Sequence, residues 1–228
     1  MKNVFLVFLS IAGILYLESC SNIYKIKGEI DVYGYEGARL NLISFVNGSF
    51  DFLDSCDVYH GKFQMEGEVE DATFAILCRD KEPLLPLYLE KGNIEIKMKP
   101  TQHDVSGTEQ NNLLYDFLLD KRAIDNLYEE RVQRKMTLIS EGLFNKDELE
   151  KLDKSIEEVC MDMENLMYNF ITKNFNQKVS VGVFSMLCNS SEKEITPLIK
   201  RILDNAPSDF LNSPYVERYL QQVGYTPN

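Results

Sequence analysis

The sequence predicts an α+β protein: an N-terminal antiparallel β-sandwich or open barrel, then an all-helical region built on a long antiparallel helical hairpin. Three observations carry this. Short apolar runs with a period of two fill residues 23 to about 98, separated by turn residues. The period becomes helical after Pro100. Two helix-opening spacings, Ser106 to Glu109 and Asn145 to Glu148, then head two long apolar stripes.

Tyr24, Ile26, Gly28 and Ile30 share one face of a first strand, and Leu40, Leu42 and Ser44 do so in a second. Asn47-Gly48 is a two-residue hairpin signal, since both central positions of that turn need positive φ. His60-Gly61 marks a second reversal, before Phe63, Met65 and Gly67. Thr73 to Cys78, Leu87 to Leu89 and Ile94 to Met98 complete about seven strands, with Lys91-Gly92-Asn93 as the turn between the last two.

The first long helix is expected from the Ser106-Gly107-Thr108-Glu109 capping box to about Ser140, closed by Gly142 in the left-handed conformation. Its stripe of Leu114, Phe117, Ile124, Tyr128 and Leu138 is interrupted by Lys121, Arg131 and Lys135. The second opens at Asn145 and carries Leu149, Leu152, Ile156, Val159, Met163, Leu166 and Phe170 three and four apart, a seam for a partner helix. Shorter helices are expected over 180–188, 191–205 and 214–223.

A chain of 228 residues allows one or two domains at about 150 residues each. Hydrophobic residues at 44% and charged ones at 26% are those of an ordinary folded protein. A chain of this size buries roughly 70% of its unfolded surface and needs no metal or disulfide staples. Acidic residues outnumber basic ones 36 to 24, a net charge of −12, which excludes a nucleic-acid partner.

Met1-Lys2-Asn3 is a short basic start, and Val4 to Leu17 is apolar apart from Ser10. That run is shorter than the roughly 20 residues a membrane-spanning helix needs, so it reads as a signal-peptide core. Leu17-Glu18-Ser19-Cys20 resembles the bacterial lipobox, although Glu18 is unusual there. The resemblance implies a signal peptide over 1–19, acylation of Cys20, and a lipid-anchored protein of the cell envelope, on the outer membrane facing the periplasm. The expected domains are then 20–105, β-rich, and 106–228, helical.

Four further cysteines, Cys56, Cys78, Cys160 and Cys188, form no C-x-x-C pair and read as buried small hydrophobes, with a structural bridge as the alternative. Cys160, Met163 and Met167 share a helix face beside Met161, a spacing that soft sulfur ligation of Cu(I) could use. Met163 belongs to the apolar seam, however, and core packing is preferred. No metal and no cofactor is expected. His60 and His103 read as surface histidines in a turn and a loop. Glu66, Glu68, Glu70 and Asp71, like Glu157 and Glu158, read as solvated faces, because acid–base work needs a buried carboxyl of raised pKa. Tyr33, Tyr35, Phe45, Phe50 and Phe52 are expected to pack in the core or at an edge rather than line a groove. No phosphate loop, nucleophile elbow or zinc-binding H-E-x-x-H occurs in the sequence.

An ordered series of motifs spans the β-rich half. Tyr24-x-Ile26-x-Gly28-x-Ile30 is followed by Gly37-Ala38-x-Leu40-x-Leu42 and Asp57-Val58-x-x-Gly61-Lys62-Phe63-x-x-x-Gly67. Leu87-Tyr88-Leu89-Glu90-x-Gly92-x-Ile94-x-Ile96 and Val105-x-Gly107-Thr108-x-x-Asn111 complete it. Over residues 23–115 this resembles the domain of unknown function 4369, the N-terminal half of lipid-anchored thiol-disulfide interchange proteins of Gram-negative bacteria. In those proteins a thioredoxin-like domain follows, and Val223-Gly224-Tyr225-Thr226-Pro227 resembles its entry. The chain, reaching Asn228, is expected to lack that domain, so the catalytic residues of the family map to no position here. The function expected is a non-catalytic, lipid-anchored binding or interaction module with a protein partner or a small ligand. The alternative is an accessory or truncated half of a thiol-disulfide oxidoreductase.

Overall fold

Alternating burial along the first strand sets the architecture: Tyr24, Ile26, Gly28 and Ile30 are buried, while Lys25, Lys27 and Glu29 face water. Such a strand covers a core on one side only. The computed structural model describes residues 22–46, 49–142, 145–190 and 194–226. Strands β1 (Ile23–Ile30), β2 (Arg39–Val46), β3 (Ser49–Asp57), β4 (Lys62–Glu68), β5 (Thr73–Arg79), β6 (Glu82–Leu89), β7 (Gly92–Lys99) and β8 (Gln102–Ser106) form two four-stranded sheets. Their orders are β4-β1-β7-β8 and β3-β2-β5-β6, an open sandwich rather than a closed barrel. Ile26, Ile94 and Ile96 from one sheet and Leu40, Leu42 and Leu87 from the other are at most 1% exposed in its core. Each such side chain contributes about 1.5–3 kcal/mol on burial.

Three expectations are corrected. The sandwich is not wholly antiparallel: β1 and β7 run parallel, with Ile26 opposite Ile94. Lys91-Gly92-Asn93 does not turn a hairpin, because β6 and β7 lie in different sheets. The strand count rises to eight because Gln102–Ser106, read as loop, pairs with β7. In addition, β6 begins at Glu82, ahead of Pro83 and Pro86, which an edge strand tolerates. Asn47-Gly48 lies outside the described residues; Val46 and Ser49 on either side are paired. His60 and Gly61 both have positive φ, and Tyr59 and Lys62 exchange backbone hydrogen bonds of 2.9 and 3.0 Å around them, so the second reversal stands.

Close approach explains two motif glycines. Gly28 lies opposite Phe63 on β4, and a Cβ at Gly28 would stand 1.9 Å from a ring carbon of Phe63. Tyr24 lies opposite Gly67 in the same way, 2.6 Å from its would-be Cβ. Each ring covers the glycine of the facing strand.

The helical region comprises α1 (Glu109–Ser140), α2 (Lys146–Lys173), α3 (Lys178–Ser190), α4 (Pro197–Leu203), α5 (Ser208–Leu211) and α6 (Pro214–Val223). The expected 191–205 helix is thus shortened to α4, where Thr196 accepts from the Ile199 amide at its start. Ser106 does not cap α1: it ends β8, and Thr108 is the N-cap residue. Asn145 does cap α2, accepting from the Glu148 amide at 2.8 Å, and Gly142 is left-handed.

α1 and α2 form the expected antiparallel hairpin. Phe117 meets Phe170 near the sandwich (ring centroids 4.8 Å), while Arg131 donates to Ser155 Oγ at 3.1 Å and Lys135 pairs with Asp153 further out. Two of the charged interruptions of the α1 stripe, Arg131 and Lys135, therefore satisfy polar partners on α2, while Lys121 pairs with Asp125 on α1 itself. Leu152, Val159, Met167 and Ile171 are the buried α2 residues, and Met163, Leu166 and Phe170 are half-buried. The second core, around Phe184, Ile199, Phe210 and Val216, fills the space between α2 and the shorter helices.

Candidate functional site

A cleft of about 500 Å3 lies between α1, α2, α3 and the start of α4. Such a volume suits a small ligand or a few anchoring side chains of a partner. Val159, Met167 and Leu187 are buried in its floor, and Ile124, Met163 and Met186 are half-buried in its walls. Cys160 and Glu164 stand at the exposed mouth. Lys121 and Asp125 form an ion pair of 2.7 Å on the α1 rim, next to the exposed Tyr128 ring.

Sequence periodicity finds the α2 side of this cleft, because Val159 and Met163 lie on the seam and Met167 shares a helix face with Cys160 and Met163. It misses Met186 and Leu187: nothing in the spacing of α3 tells which face of α2 it meets.

A smaller crevice of about 170 Å3 separates α1 from β6 and β8. His103, Asp104, Tyr115 and Arg122 line it. The Tyr115 hydroxyl donates to the Pro86 carbonyl at 3.0 Å, and burial, followed by the nearby Asp104 carboxylate, raises its pKa. His103 lies in β8 rather than a loop, and its buried Nδ1 has no hydrogen-bond partner among the described residues.

The remaining sequence candidates are dispersed. Cys20 lies outside the described residues. Among those residues no helix is long and apolar enough to cross a membrane. None of the other four cysteines is bridged. Cys78 and Cys188 are buried, as expected, and Cys56 is only half-buried; Cys160 is exposed, which corrects its reading as a buried hydrophobe. Burial pushes all three covered thiols above their ordinary pKa, Cys188 to about 12. A thiol held protonated is a poor nucleophile and a poor metal ligand.

Glu66 pairs with Lys25 at 3.3 Å and Asp71 with Lys178 at 2.8 Å, whose hydrogen bond holds the Asp71 carboxyl below the usual range. Glu157 and Glu158 are exposed. Tyr35 is half-buried under the Arg79 guanidinium, 4.8 Å from its ring centre. Tyr33 and Phe52 face solvent, which corrects their expected packing; the side chains of Phe45 and Phe50 lie outside the described residues.

The first turn of α1 belongs physically to the sandwich. Asn111 is fully buried and bonds both the amide and the carbonyl of Tyr88 on β6. Gln110 donates its amide to Glu90 at 2.7 Å and accepts from the Val179 amide at 2.8 Å, fastening the start of α3 to the same corner. A search of curated proteins finds no match to this chain. The family model does match, over the eight strands and the first turns of α1: residues 24–114 carry the Domain of unknown function (DUF4369).

Proposed function

We propose that the protein is a non-catalytic binding or interaction module of the cell envelope, held by a lipid on Cys20 at the outer membrane and facing the periplasm. The observation that carries the binding role is the cleft between α1, α2, α3 and α4, which keeps apolar side chains in contact with water beside the helical core. The raised pKa values of Cys56, Cys78 and Cys188 support a non-catalytic role, since thiol exchange runs through thiolates. The lipobox-like residues Leu17, Ser19 and Cys20 support the anchor.

The test is saturable binding of the fluorescent apolar probe N-phenyl-1-naphthylamine to the full chain. Ile124→Glu places a carboxylate in the cleft wall and should weaken the probe at least tenfold. Phe52→Glu, on the solvent-facing sheet, should leave it unchanged. Equal loss in both variants, or no saturable binding at all, removes the cleft as a binding site for apolar ligands.

A further inference from the structure

The cleft gathers four sulfur side chains from two helices: Cys160, Met163 and Met167 on α2 and Met186 on α3. At about 100° per residue, positions 160, 163 and 167 fall within an arc of about 60°. Met167 is 7% exposed at the cleft floor, Met163 and Met186 are half-buried in the walls, and Cys160 stands unbridged at the mouth. This gives a depth gradient from thioethers below to a thiol at the solvent edge.

We propose that these four residues form a Cu(I) site, an assignment that rests on the cleft being the binding site of the protein. Thioethers are neutral, soft donors, which favour Cu(I) over Mg2+, Ca2+ or Mn2+. Methionine side chains are unbranched and have three rotatable bonds, so their sulfurs can turn toward an ion that enters the cleft. The charges also balance. Cys160 releases its thiol proton to solvent as the Cu–S bond forms, and the copper(I) thiolate left behind is neutral. A neutral complex suits an apolar cleft, where an unpaired charge is costly. Zn2+ with one thiolate would retain a positive charge, and the cleft offers neither the imidazole nor the second thiolate that zinc sites combine with it. The copper stays Cu(I) throughout, so no electron acceptor or donor enters the step. Met161, exposed and outside the cleft lining, serves as an internal control on the same helix.

The experiment is anaerobic competition for Cu(I) between the full chain and bicinchoninate, with X-ray absorption of the loaded protein. One equivalent of Cu(I) should move to the protein and show a sulfur-dominated shell. Cys160→Ser and the double variant Met163→Leu/Met186→Leu should each weaken uptake at least tenfold, and Met161→Leu should leave it unchanged. No transfer from bicinchoninate overturns the proposal, as does uptake that survives the double variant or falls equally with Met161→Leu. The leucine variants keep the cleft apolar, so N-phenyl-1-naphthylamine binding is measured on the same samples. Probe binding without copper uptake overturns the copper site and leaves the apolar binding role standing. Copper uptake without probe binding supports the site and overturns that role.

Discussion

The side chain of Asn111 completes the free edge of β6 by pairing with Tyr88 as a neighbouring strand would. Its Oδ1 accepts from the Tyr88 amide at 2.8 Å and its Nδ2 donates to the Tyr88 carbonyl at 2.7 Å. The same Nδ2 donates to Thr108 Oγ1 at 2.8 Å, so one amide caps a sheet edge and braces the start of α1. Asn111→Leu would leave both backbone groups of Tyr88 buried without partners. Each orphaned group costs about 1–3 kcal/mol, so urea melts should show a large loss of stability. Asn111→Asp keeps the acceptor but removes the donor, and should also destabilise. Wild-type melts for both variants would refute the stapling role.

Gly28→Ala should destabilise by about 1–3 kcal/mol, because the new methyl overlaps the Phe63 ring and forces it off its strand-facing position. Adding Phe63→Leu removes the ring that the methyl meets. The double variant should therefore lose less than the sum of the single changes, a coupling that thermal melts of the four proteins measure.

In α2, burial separates two neighbouring substitutions. Ile171 is fully buried in the helical core, so Ile171→Ala should cost about 2–5 kcal/mol. Met163 lies half-buried in the cleft wall, and Met163→Leu conserves volume and should cost under about 1.5 kcal/mol. Equal losses would mean that the cleft wall is as tightly packed as the core.

The thiols should react in two classes, set by exposure. In a Cys20→Ser background, one thiol should react rapidly with dithionitrobenzoate at pH 8, and Cys160→Ser should abolish that phase. Cys188 titrates from an ordinary 9.0 up to about 12 in the folded chain because burial disfavours its thiolate. The stability this neutral thiol contributes is fully present below pH 9 and is lost as pH rises toward 12. Cys188→Ala should therefore flatten the decline in melting temperature over that alkaline window.

Labelling with radioactive palmitate checks the anchor. The wild-type chain should carry label that Cys20→Ser lacks, since only the thiol accepts the diacylglyceryl group. An unlabelled wild type would refute the lipoprotein reading, with Glu18 as the residue to replace next.

Strands with alternating apolar residues were legible from the sequence, because β1, β4 and β7 each cover the core on one face. Direction was not: a period of two is the same for parallel and antiparallel partners, so the β1–β7 pairing had no signature. β8 was hidden because Val105 is its only fully buried residue. The first half of β6 was hidden by Pro83 and Pro86. In the helical region Asn145 and the α2 stripe announced the hairpin correctly, whereas the cap of α1 moved because Ser106 was already committed to pairing with Glu95. The cleft was half legible for a related reason. Helical spacing sorts residues into faces, and only the tertiary fold brings Met186 to the face that holds Cys160.

The parallel pairing of β1 with β7 bears on the order in which the chain can assemble as it is synthesised. β2 can pair with β3, and β5 with β6, soon after each hairpin leaves the ribosome, at the small entropic cost of short loops. β1 emerges before all of them, yet its two partners are β4 and β7, so Ile26 lies between strands made much later. β1 holds two unpaired edges until Glu68 has been translated, and its β7 edge stays open until Lys99 has been. The first folded strand in the sequence is thus among the last to be secured, a high-contact-order step that slows folding and lengthens exposure to aggregation.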